Sequence, residues 1–357
     1  MKKAQLDALT AGSLRAAIVP EGQFRASVLT AVPQVLRDLD KDPDEVLREA
    51  GVDPALIANA ENVLPFRIGG ALLEHCVART GCNHFGLLIG QRSRIAMLGV
   101  LGLLVENSPD VGTALRTLVQ YLHLQDRGAV PTLAVGGSRA ILGYVIYEKE
   151  VPASDQICAA SMGVACNIMR ALCGPDWRPD EVRFPFRKPA DTAPFRQFFR
   201  ASLRFDAHQA ALVFPATWLQ RPVRDFDLGV RSAAEALAAV LEGKQCGNFA
   251  GKVRRALCAL LVSGRASQAE VARAFAMHRR TLNRRLQSAG ITFRELLVDV
   301  RFDLARQMLK NTETPLAEIA SRLDYGSASA FSRAFRRRCG CNPTEWRAGN
   351  SSKTARS

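Results

Sequence analysis

The sequence predicts an α+β N-terminal domain followed by an all-α C-terminal domain in which a long helix joins two helix-turn-helix motifs. Apolar residues recur at helical spacing through most of the chain. Alternating apolar runs separated by glycines predict strands within the first 215 residues. A pattern of short helix, turn and basic helix then occurs twice after residue 249. The 357 residues are sufficient for two domains.

The predicted organisation has five parts, whose boundaries follow from changes in composition and periodicity. They are a flexible leader at 1–24, a folded α+β domain at 25–215, a linker with a helix at 216–248, the tandem helix-turn-helix domain at 249–347 and a disordered tail at 348–357. The leader mixes charged and polar residues and lacks the continuous apolar stretch of a secretory signal. Since no uncharged run of about eighteen apolar residues occurs, no membrane span is predicted.

The first part of the α+β domain is predicted to be helical. The periodic segments are Ser27–Gly51, a short helix after Asp53-Pro54, Pro65–Thr80, Phe85–Gln91 and two helices within Met97–Leu124. Gly51 is placed to end a helix, and Asp110 to cap the start of one. Gly99 and Gly102 predict that a helix packs closely against its neighbour.

Strands follow these helices. Thr132–Val135 and Arg139–Tyr147 flank Gly136-Gly137-Ser138, which is typical of a β-hairpin. Ser154–Cys173 then reads as a long apolar helix ended by Gly174-Pro175. The remaining predicted elements of this domain are strands at Val182–Phe186 and Ala211–Phe214, with a helix at Phe195–Phe199 between them.

The linker contains a helix at Asp227–Glu242 with an apolar face. That face is formed by Leu228, Ala234, Leu237, Val240 and Leu241. An apolar helical face requires a packing partner. Two partners remain open at this point, the preceding domain or a second copy of the chain.

The two helix-turn-helix motifs span Ser267–Gln287 and Thr314–Arg338. Ser267 before Glu270, and Thr314-Pro315 before Glu318, are helix N-terminal signals. Each first helix has a short apolar stripe, and each second helix is rich in basic and polar residues. This arrangement is typical of motifs that place a recognition helix in the major groove of DNA.

Each second helix has one apolar face and one polar face. Leu282 and Leu286 are the predicted inward pair of the first motif, and Phe331 and Phe335 that of the second. The residues predicted to face outward and contact DNA are Arg279, Arg280, Asn283, Arg284, Ser329, Ala330, Arg333, Arg336 and Arg337. Arginine pairs with guanine, asparagine with adenine, and small residues contact the thymine methyl group. The alternative is that these residues only form a solvent-exposed basic helix face. The occurrence of the pattern in two copies favours DNA binding over this alternative.

The positive charge is confined to one part of the chain. The formal net charge is +14, and residues 249–347 hold 19 basic and 8 acidic residues. Residues 1–248 hold 27 basic and 26 acidic residues, which nearly balance. A generally basic surface for membranes would not be confined in this way. The distribution therefore indicates a polyanion-binding module, whose affinity should fall steeply with salt.

The C-terminal segment resembles the DNA-binding domain of the AraC/XylS family of bacterial transcription regulators. The resemblance rests on the motifs Arg280–Leu286, Gly290–Leu297, Arg301–Leu309, Pro315–Ala320, Ser329–Arg336 and Gly340–Arg347. It implies that Phe293–Leu309 is a spacer helix that holds the two recognition helices in adjacent major grooves. One departure is Leu-Asp-Tyr at 323–325, where the family usually has Leu-Gly-Phe. Asp324 is therefore expected at a turn position that favours positive φ.

The N-terminal half resembles, more loosely, the effector domain of a branch that includes regulators of ornithine and arginine catabolism. The sequence segments that carry this resemblance are Leu98–Leu115 and Trp177–Phe186. It implies an effector-binding or dimerisation domain for an unknown small molecule, and hence a ligand-responsive regulator. It further implies an activator in the cytoplasm at the nucleoid, a homodimer, and RNA polymerase as a partner beside double-stranded promoter DNA. The open alternative is a constitutive, architectural DNA-binding protein whose N-terminal domain only dimerises.

No catalytic residue, cofactor site or metal site is predicted. The five histidines are isolated in sequence, and neither a nucleophile motif nor a phosphate-binding loop occurs. The nine cysteines are scattered, mostly within apolar patterns, as expected for reduced core residues. Cys339-Gly340-Cys341 is interpreted as a turn rather than a metal site, because no further ligand lies nearby in sequence.

Overall fold

The computed structural model describes residues 18–224, 226–244 and 249–354. Among these, the chain forms two compact units. The first unit contains the described residues up to 183, 189–204 and 210–244, and the second contains 184–188, 205–209 and 249–354. Two short segments of the N-terminal half thus belong to the same compact unit as the C-terminal helices.

The first unit has helices both before and after its β-hairpin. Its described α-helices are α1 (Val32–Asp38), α2 (Pro43–Glu49), α3 (Pro54–Ala58), α4 (Phe66–Thr80), α5 (Phe85–Arg92), α6 (Val100–Glu106), α7 (Val111–Tyr121), α8 (Ser154–Cys173), α9 (Ala193–Phe199) and α10 (Leu228–Lys244). Two of the predicted helix-terminal residues are confirmed. Gly51 has φ 69°, and the Asp110 side chain accepts a hydrogen bond from the Thr113 N–H that caps α7.

Seven strands form two sheets in this unit. They are β1 (Gln23–Arg25), β2 (Val63–Pro65), β3 (Ala129–Gly136), β4 (Arg139–Ile146), β5 (Glu181–Arg183), β6 (Ser202–Arg204) and β7 (Ala210–Pro215). β1 and β2 pair antiparallel, and the larger sheet has the order β3-β4-β7-β5-β6. The hairpin is confirmed, with Gly136 paired to Arg139 and Gly137 at φ 58° in the turn. The α+β class of this domain is therefore confirmed.

At the crossing of α5 and α8, glycines let the two backbones approach each other closely. A Cβ added at Gly90 would lie 2.4 Å from the Ala160 carbonyl oxygen, and one at Gly86 would lie 2.1 Å from that of Gln156. Gly102 is close-packed as predicted, since its Cβ would lie 2.4 Å from the Ile95 carbonyl oxygen. Gly99 has a different role, because it adopts φ 55° at the start of α6.

Replacing Gly90 by alanine is expected to lower the free energy of unfolding by about 1–3 kcal/mol, because α5 and α8 must separate to admit the new methyl group. Gly243→Ala is the matched control, since Gly243 is also helical and has no atom within 4 Å of its added Cβ. Urea denaturation of both variants measures the effect. Equal midpoints for the two variants would contradict close packing at the crossing.

The linker helix packs on its own chain. Within α10, Ala234 and Leu237 are buried against Leu103 and Leu104 of α6, in a cluster that also contains Val230 and Ala238. Other members of the predicted apolar face remain open, with Leu228 at 65% and Val240 at 47% exposure. The face is therefore divided between packing on the first unit and solvent.

Parts of the predicted flexible leader and disordered tail are described by the structure, and these parts include regular secondary structure. Residues 1–17 lie outside the described residues, but Val19 is buried and Gln23–Arg25 form β1. At the other end, the last helix continues to Thr354, and only 355–357 of the predicted tail lie outside the described residues. The pairing of β1 with β2 is long-range in sequence, so local composition could not indicate it.

Among the described helices, α8 is long and apolar enough to cross a membrane by length and composition alone. Such a helix is weak evidence for a span, since the core helix of a folded domain has the same character. Most of α8 is buried within the first unit, where it packs against α5 and the large sheet. Burial between protein elements accounts for its composition.

A cavity of about 140 Å³ lies within the first unit. It is lined by α4, α8, the end of α7 and strands β3 and β4. Its wall is almost entirely apolar, and the few polar side chains that line it include Gln125 and Asp126. The volume of this partly open cavity is that of a small organic molecule.

The second unit is helical apart from the two short segments. Its helices are α11 (Phe249–Val262), α12 (Gln268–Ala274), α13 (Arg279–Ser288), α14 (Phe293–Asn311), α15 (Leu316–Arg322), α16 (Ala328–Cys339) and α17 (Pro343–Thr354). α14 is the predicted long connecting helix, and at 1.5 Å per residue it is about 28 Å long. The all-α class with two helix-turn-helix motifs is confirmed.

Candidate nucleic-acid interface

The first helix-turn-helix motif consists of α12 and α13. The Ser267 hydroxyl accepts a hydrogen bond from the Glu270 N–H at 3.2 Å, so the predicted cap is confirmed. Val271 and Ala272 are buried, whereas Phe275 is partly buried beside the Phe249 ring. The turn to α13 passes through Ala276 at φ 49°, a left-handed conformation that glycine adopts readily but L-residues such as alanine rarely do.

The second motif consists of α15 and α16. The predicted start at Thr314-Pro315 is met to within one residue, because α15 begins at Leu316, but Thr314 does not cap it. The Thr314 side chain is buried and its hydroxyl donates to the Asp206 carbonyl oxygen at 3.3 Å, while Pro315 occupies the cap position. The turn passes through Asp324 at φ 58°. Positive φ is expected here because the family usually has glycine at this position. The Ser327 hydroxyl then caps α16 by accepting from the Ala330 N–H at 3.1 Å.

The two faces of each second helix are as the periodicity predicts. Leu282 and Leu286 of α13, and Phe331 and Phe335 of α16, are at most 2% exposed. Eight of the nine residues predicted to contact DNA are exposed, and Ala330 is partly exposed. Burial of the apolar pair fixes the rotation of each helix, and the basic side chains are consequently held outward.

The arginines predicted to contact bases differ from those that support the fold. Within the described residues, no intramolecular salt bridge or ring contact is found for Arg279, Arg280, Arg284, Arg333, Arg336 or Arg337. Three neighbouring arginines are engaged. Arg285 lies 5.5 Å from the Phe249 ring centroid, Arg301 donates to the Asp324 carboxylate and carbonyl, and Arg338 pairs with Asp299 at 2.5 Å. The free guanidinium groups are therefore available to an external anion.

Asn283 differs from the free arginines because its amide is already bonded. Its Oδ1 accepts a hydrogen bond from the Gln268 side chain at the start of α12. Pairing with adenine uses both the oxygen and the nitrogen of an asparagine amide. Contact of Asn283 with adenine therefore requires that Gln268 move or that it also face the DNA. Sequence reasoning did not identify Gln268, although its position directly after the helix cap was a usable signal.

The connecting helix is held by polar contacts at its start and near its middle. Thr292 and Glu295 form a reciprocal capping box at its start, a spacing that the sequence carried but that was not recognised. Further along, the Asp303 carboxylate pairs with Arg254 of α11, and the side chains are 7% and 15% exposed. Burial lowers the pKa of Arg254, but the facing Asp303 carboxylate outweighs burial and raises that pKa above its usual value.

The Cys339-Gly340-Cys341 segment forms a turn, as predicted. α16 ends at Cys339, Gly340 adopts φ 80°, and the two sulfur atoms are 3.8 Å apart. Among the described residues, no group of three or more potential ligands is placed to hold a metal ion. The turn separates α16 from α17.

Comparison with known proteins identifies both halves of the chain. The family profile of the arabinose-binding domain of AraC transcription regulators matches residues 41–223, and a helix-turn-helix domain profile matches residues 271–349. Together these two matches cover most of the chain.

Similar proteins span nearly its full length. The ornithine utilization regulator of Pseudomonas aeruginosa is 28% identical over 306 residues, which are 84% of this chain and 88% of that protein. The transcriptional regulator VirS of Mycobacterium tuberculosis is 25% identical over 331 residues, covering 91% and 96% of the two chains. The crystal structure of the regulator CdpR from Pseudomonas aeruginosa is 24% identical, covers 87% of this chain and 97% of its own, and gives a TM-score of 0.44.

These relatives are named as transcription regulators and not as enzymes. The tandem motifs, their outward basic helices and the matched N-terminal profile agree with one another. The chain therefore belongs to the AraC/XylS family of transcription regulators.

Proposed function

We propose that the protein is a ligand-responsive transcription activator that reads promoter DNA with α13 and α16. In this proposal the contacts to bases and phosphates come from the nine residues predicted in the sequence, which are Arg279, Arg280, Asn283, Arg284, Ser329, Ala330, Arg333, Arg336 and Arg337. The observation that carries the proposal is that each of the two helices buries an apolar pair and presents arginines that form no ion pair with the described part of the chain. A merely structural basic face would be expected to pair its charges with nearby acidic groups.

The two recognition helices, α13 and α16, are suited to neighbouring major grooves on one face of the DNA. Half-sites read by such motifs lie about one helical turn, or about 34–36 Å, apart. The connecting helix α14 is about 28 Å long at 1.5 Å per residue, which is of this order. A bipartite operator follows, with two short conserved blocks roughly 10 base pairs apart.

The effector and the assembly belong to the same proposal. A small molecule in the cavity of the first unit would alter DNA binding only if it bound the DNA-competent and incompetent states with different affinity. We further propose a cytoplasmic homodimer at the nucleoid that contacts RNA polymerase. The apolar residues left exposed on α10 support self-association, because Leu228 and Val240 lack full burial in the single chain.

Selection of binding sites from random duplex DNA tests the proposal. We expect the full-length protein to enrich a bipartite motif, and hydroxyl-radical footprinting of that motif to protect two blocks on one face of the helix. Affinity should also fall steeply as salt rises, because phosphate contacts release counterions. If selection yields no sequence motif while binding persists, the alternative of a constitutive architectural protein replaces this proposal.

A further inference from the structure

A second concave surface of the first unit is an open groove of about 1140 Å³. It lies between the segment that follows α8, the end of α9 and the segment that follows β7. None of the described residues that line it also lines the apolar cavity of this unit. Five arginines line the groove and are termed the groove arginines: Arg178, Arg196, Arg200, Arg221 and Arg224.

The groove concentrates positive charge in a half of the chain whose charges nearly balance. Residues 1–248 hold 27 basic and 26 acidic residues. The groove is lined by five arginines and by only two acidic residues, Asp176 and Asp180. All five groove arginines are exposed, and none forms an ion pair within the part of the chain that the structure describes. An external anion can therefore reach their guanidinium groups.

The backbone on two sides of the groove is held by an arginine that does not line it. Arg170 of α8 donates a hydrogen bond to the Phe198 carbonyl oxygen at 2.7 Å and another to the Trp177 carbonyl oxygen at 3.4 Å. Its guanidinium also lies 4.6 Å from the Phe198 ring centroid. Arg178 directly follows Trp177, and Arg196 lies on the same helix as Phe198. These contacts therefore fix the backbone from which two groove arginines extend.

Two further groove arginines are oriented by their own neighbours. The guanidinium of Arg221 lies 3.7 Å from the Trp218 ring centroid. Stacking uses the face of a guanidinium and leaves the N–H donors at its edge free. Arg200 makes a long hydrogen bond of 3.5 Å to the Pro175 carbonyl oxygen. Because a guanidinium has five N–H donors, both side chains retain donors for a ligand in the groove.

The type and number of these residues limit the class of ligand. The planar fork of arginine matches two oxygens of a phosphate or carboxylate group, whereas lysine presents a point charge. Pockets for small molecules are usually about 300–1,000 Å³, and the groove is slightly larger. A single phosphate ion would fill only a small part of it. The groove therefore suits a ligand with several oxyanion groups that reach different arginines.

We propose that this groove binds a small multivalent oxyanion, a metabolite that carries several phosphate or carboxylate groups, through the groove arginines. The proposal depends neither on DNA binding nor on a ligand in the apolar cavity. It gives the first unit a second ligand-binding site, whose chemical character is opposite to that of the cavity.

Isothermal titration of the full-length protein with tripolyphosphate, citrate and inorganic phosphate, at constant ionic strength, tests the ligand class. Tripolyphosphate or citrate should bind at least about tenfold more tightly than inorganic phosphate, because each further oxyanion group adds charge-assisted hydrogen bonds. The tighter of the two identifies phosphate or carboxylate as the recognised group. Equal affinity for all three anions, or binding of none, would overturn the proposal.

A double variant and a matched control locate the site. Arg178→Gln with Arg196→Gln should weaken binding of the tighter anion by about tenfold, since two charged donors are lost. Arg139→Gln with Arg204→Gln is the control, because it removes the same charge from exposed positions of the same unit outside the groove. Circular dichroism establishes that both variants are folded. Equal losses in the two would show general electrostatic attraction and contradict a site in the groove.

DNA is the other polyanion that the protein is proposed to bind, and titration of the complex with the selected DNA site distinguishes the two. Affinity for the tighter anion should be retained in the complex, because the residues proposed to contact DNA lie on α13 and α16 and not in the groove. Competition between the anion and DNA would overturn the proposal, since both would then occupy one surface. If no bipartite DNA site is selected, the proposed function fails, while the titrations of the free protein still decide whether the groove binds the anion.

Discussion

Replacing Asp303 by alanine is expected to destabilise the second unit by about 3–5 kcal/mol, because the guanidinium of Arg254 would be left buried without its charged partner. The pair joins α11 to the connecting helix α14, and the Asp303 side chain is only 7% exposed. Hydrogen exchange of the full-length protein should therefore show faster exchange in α11 and α14 while the first unit remains protected. DNA affinity should fall with the folded fraction.

A matched control lies on the same helix. Asp299 of α14 pairs with Arg338, but the two side chains are 25% and 37% exposed, so Asp299→Ala should cost about 1 kcal/mol or less. Replacing both partners of the buried pair, as Asp303→Leu with Arg254→Met, should recover much of the stability, since no charge is then left unpaired. Similar small losses in Asp303→Ala and Asp299→Ala would show that burial of the pair is unimportant.

The sequence predicted best those elements whose signals are local. The long helix Ser154–Cys173 was predicted with the observed bounds, because its apolar pattern ends at Gly174. The hairpin at Gly137 could likewise be predicted from the sequence, since a two-residue turn with positive φ strongly favours glycine. In the second unit, the spacing of Leu282 and Leu286 was enough to identify the buried face of α13.

Elements that depend on distant residues were missed. β6 pairs parallel with β5 although a helix lies between them, and its three residues carry no distinctive pattern. Thr314-Pro315 marked the start of α15, but the sequence could not show that the Thr314 hydroxyl bonds to Asp206 instead of capping the helix. The bond from Gln268 to Asn283 was missed for the same reason, since the two residues lie on different helices. Tertiary hydrogen bonds overrode local preference at both sites.

Replacing Arg284 and Arg333 together by alanine is expected to weaken binding to the selected DNA site by about 2–6 kcal/mol. Each arginine that reads a base contributes about 1–3 kcal/mol, and the two effects should add because the residues lie in different motifs without a shared partner. Both side chains are exposed, so the substitutions should leave the free energy of unfolding nearly unchanged. Gel-shift titration on selected and unrelated DNA measures the loss.

A charge-conserving variant separates base reading from phosphate contact. Arg284→Lys with Arg333→Lys keeps both positive charges but loses the planar fork that pairs with guanine. Affinity for unrelated DNA should therefore be retained, while affinity for the selected site falls nearly as far as in the alanine variant. Arg285→Ala is the control on α13, since Arg285 contacts the Phe249 ring and should not change base preference. If the lysine variant keeps full specificity, the two arginines act through phosphate contacts and other residues of α13 and α16 read the bases.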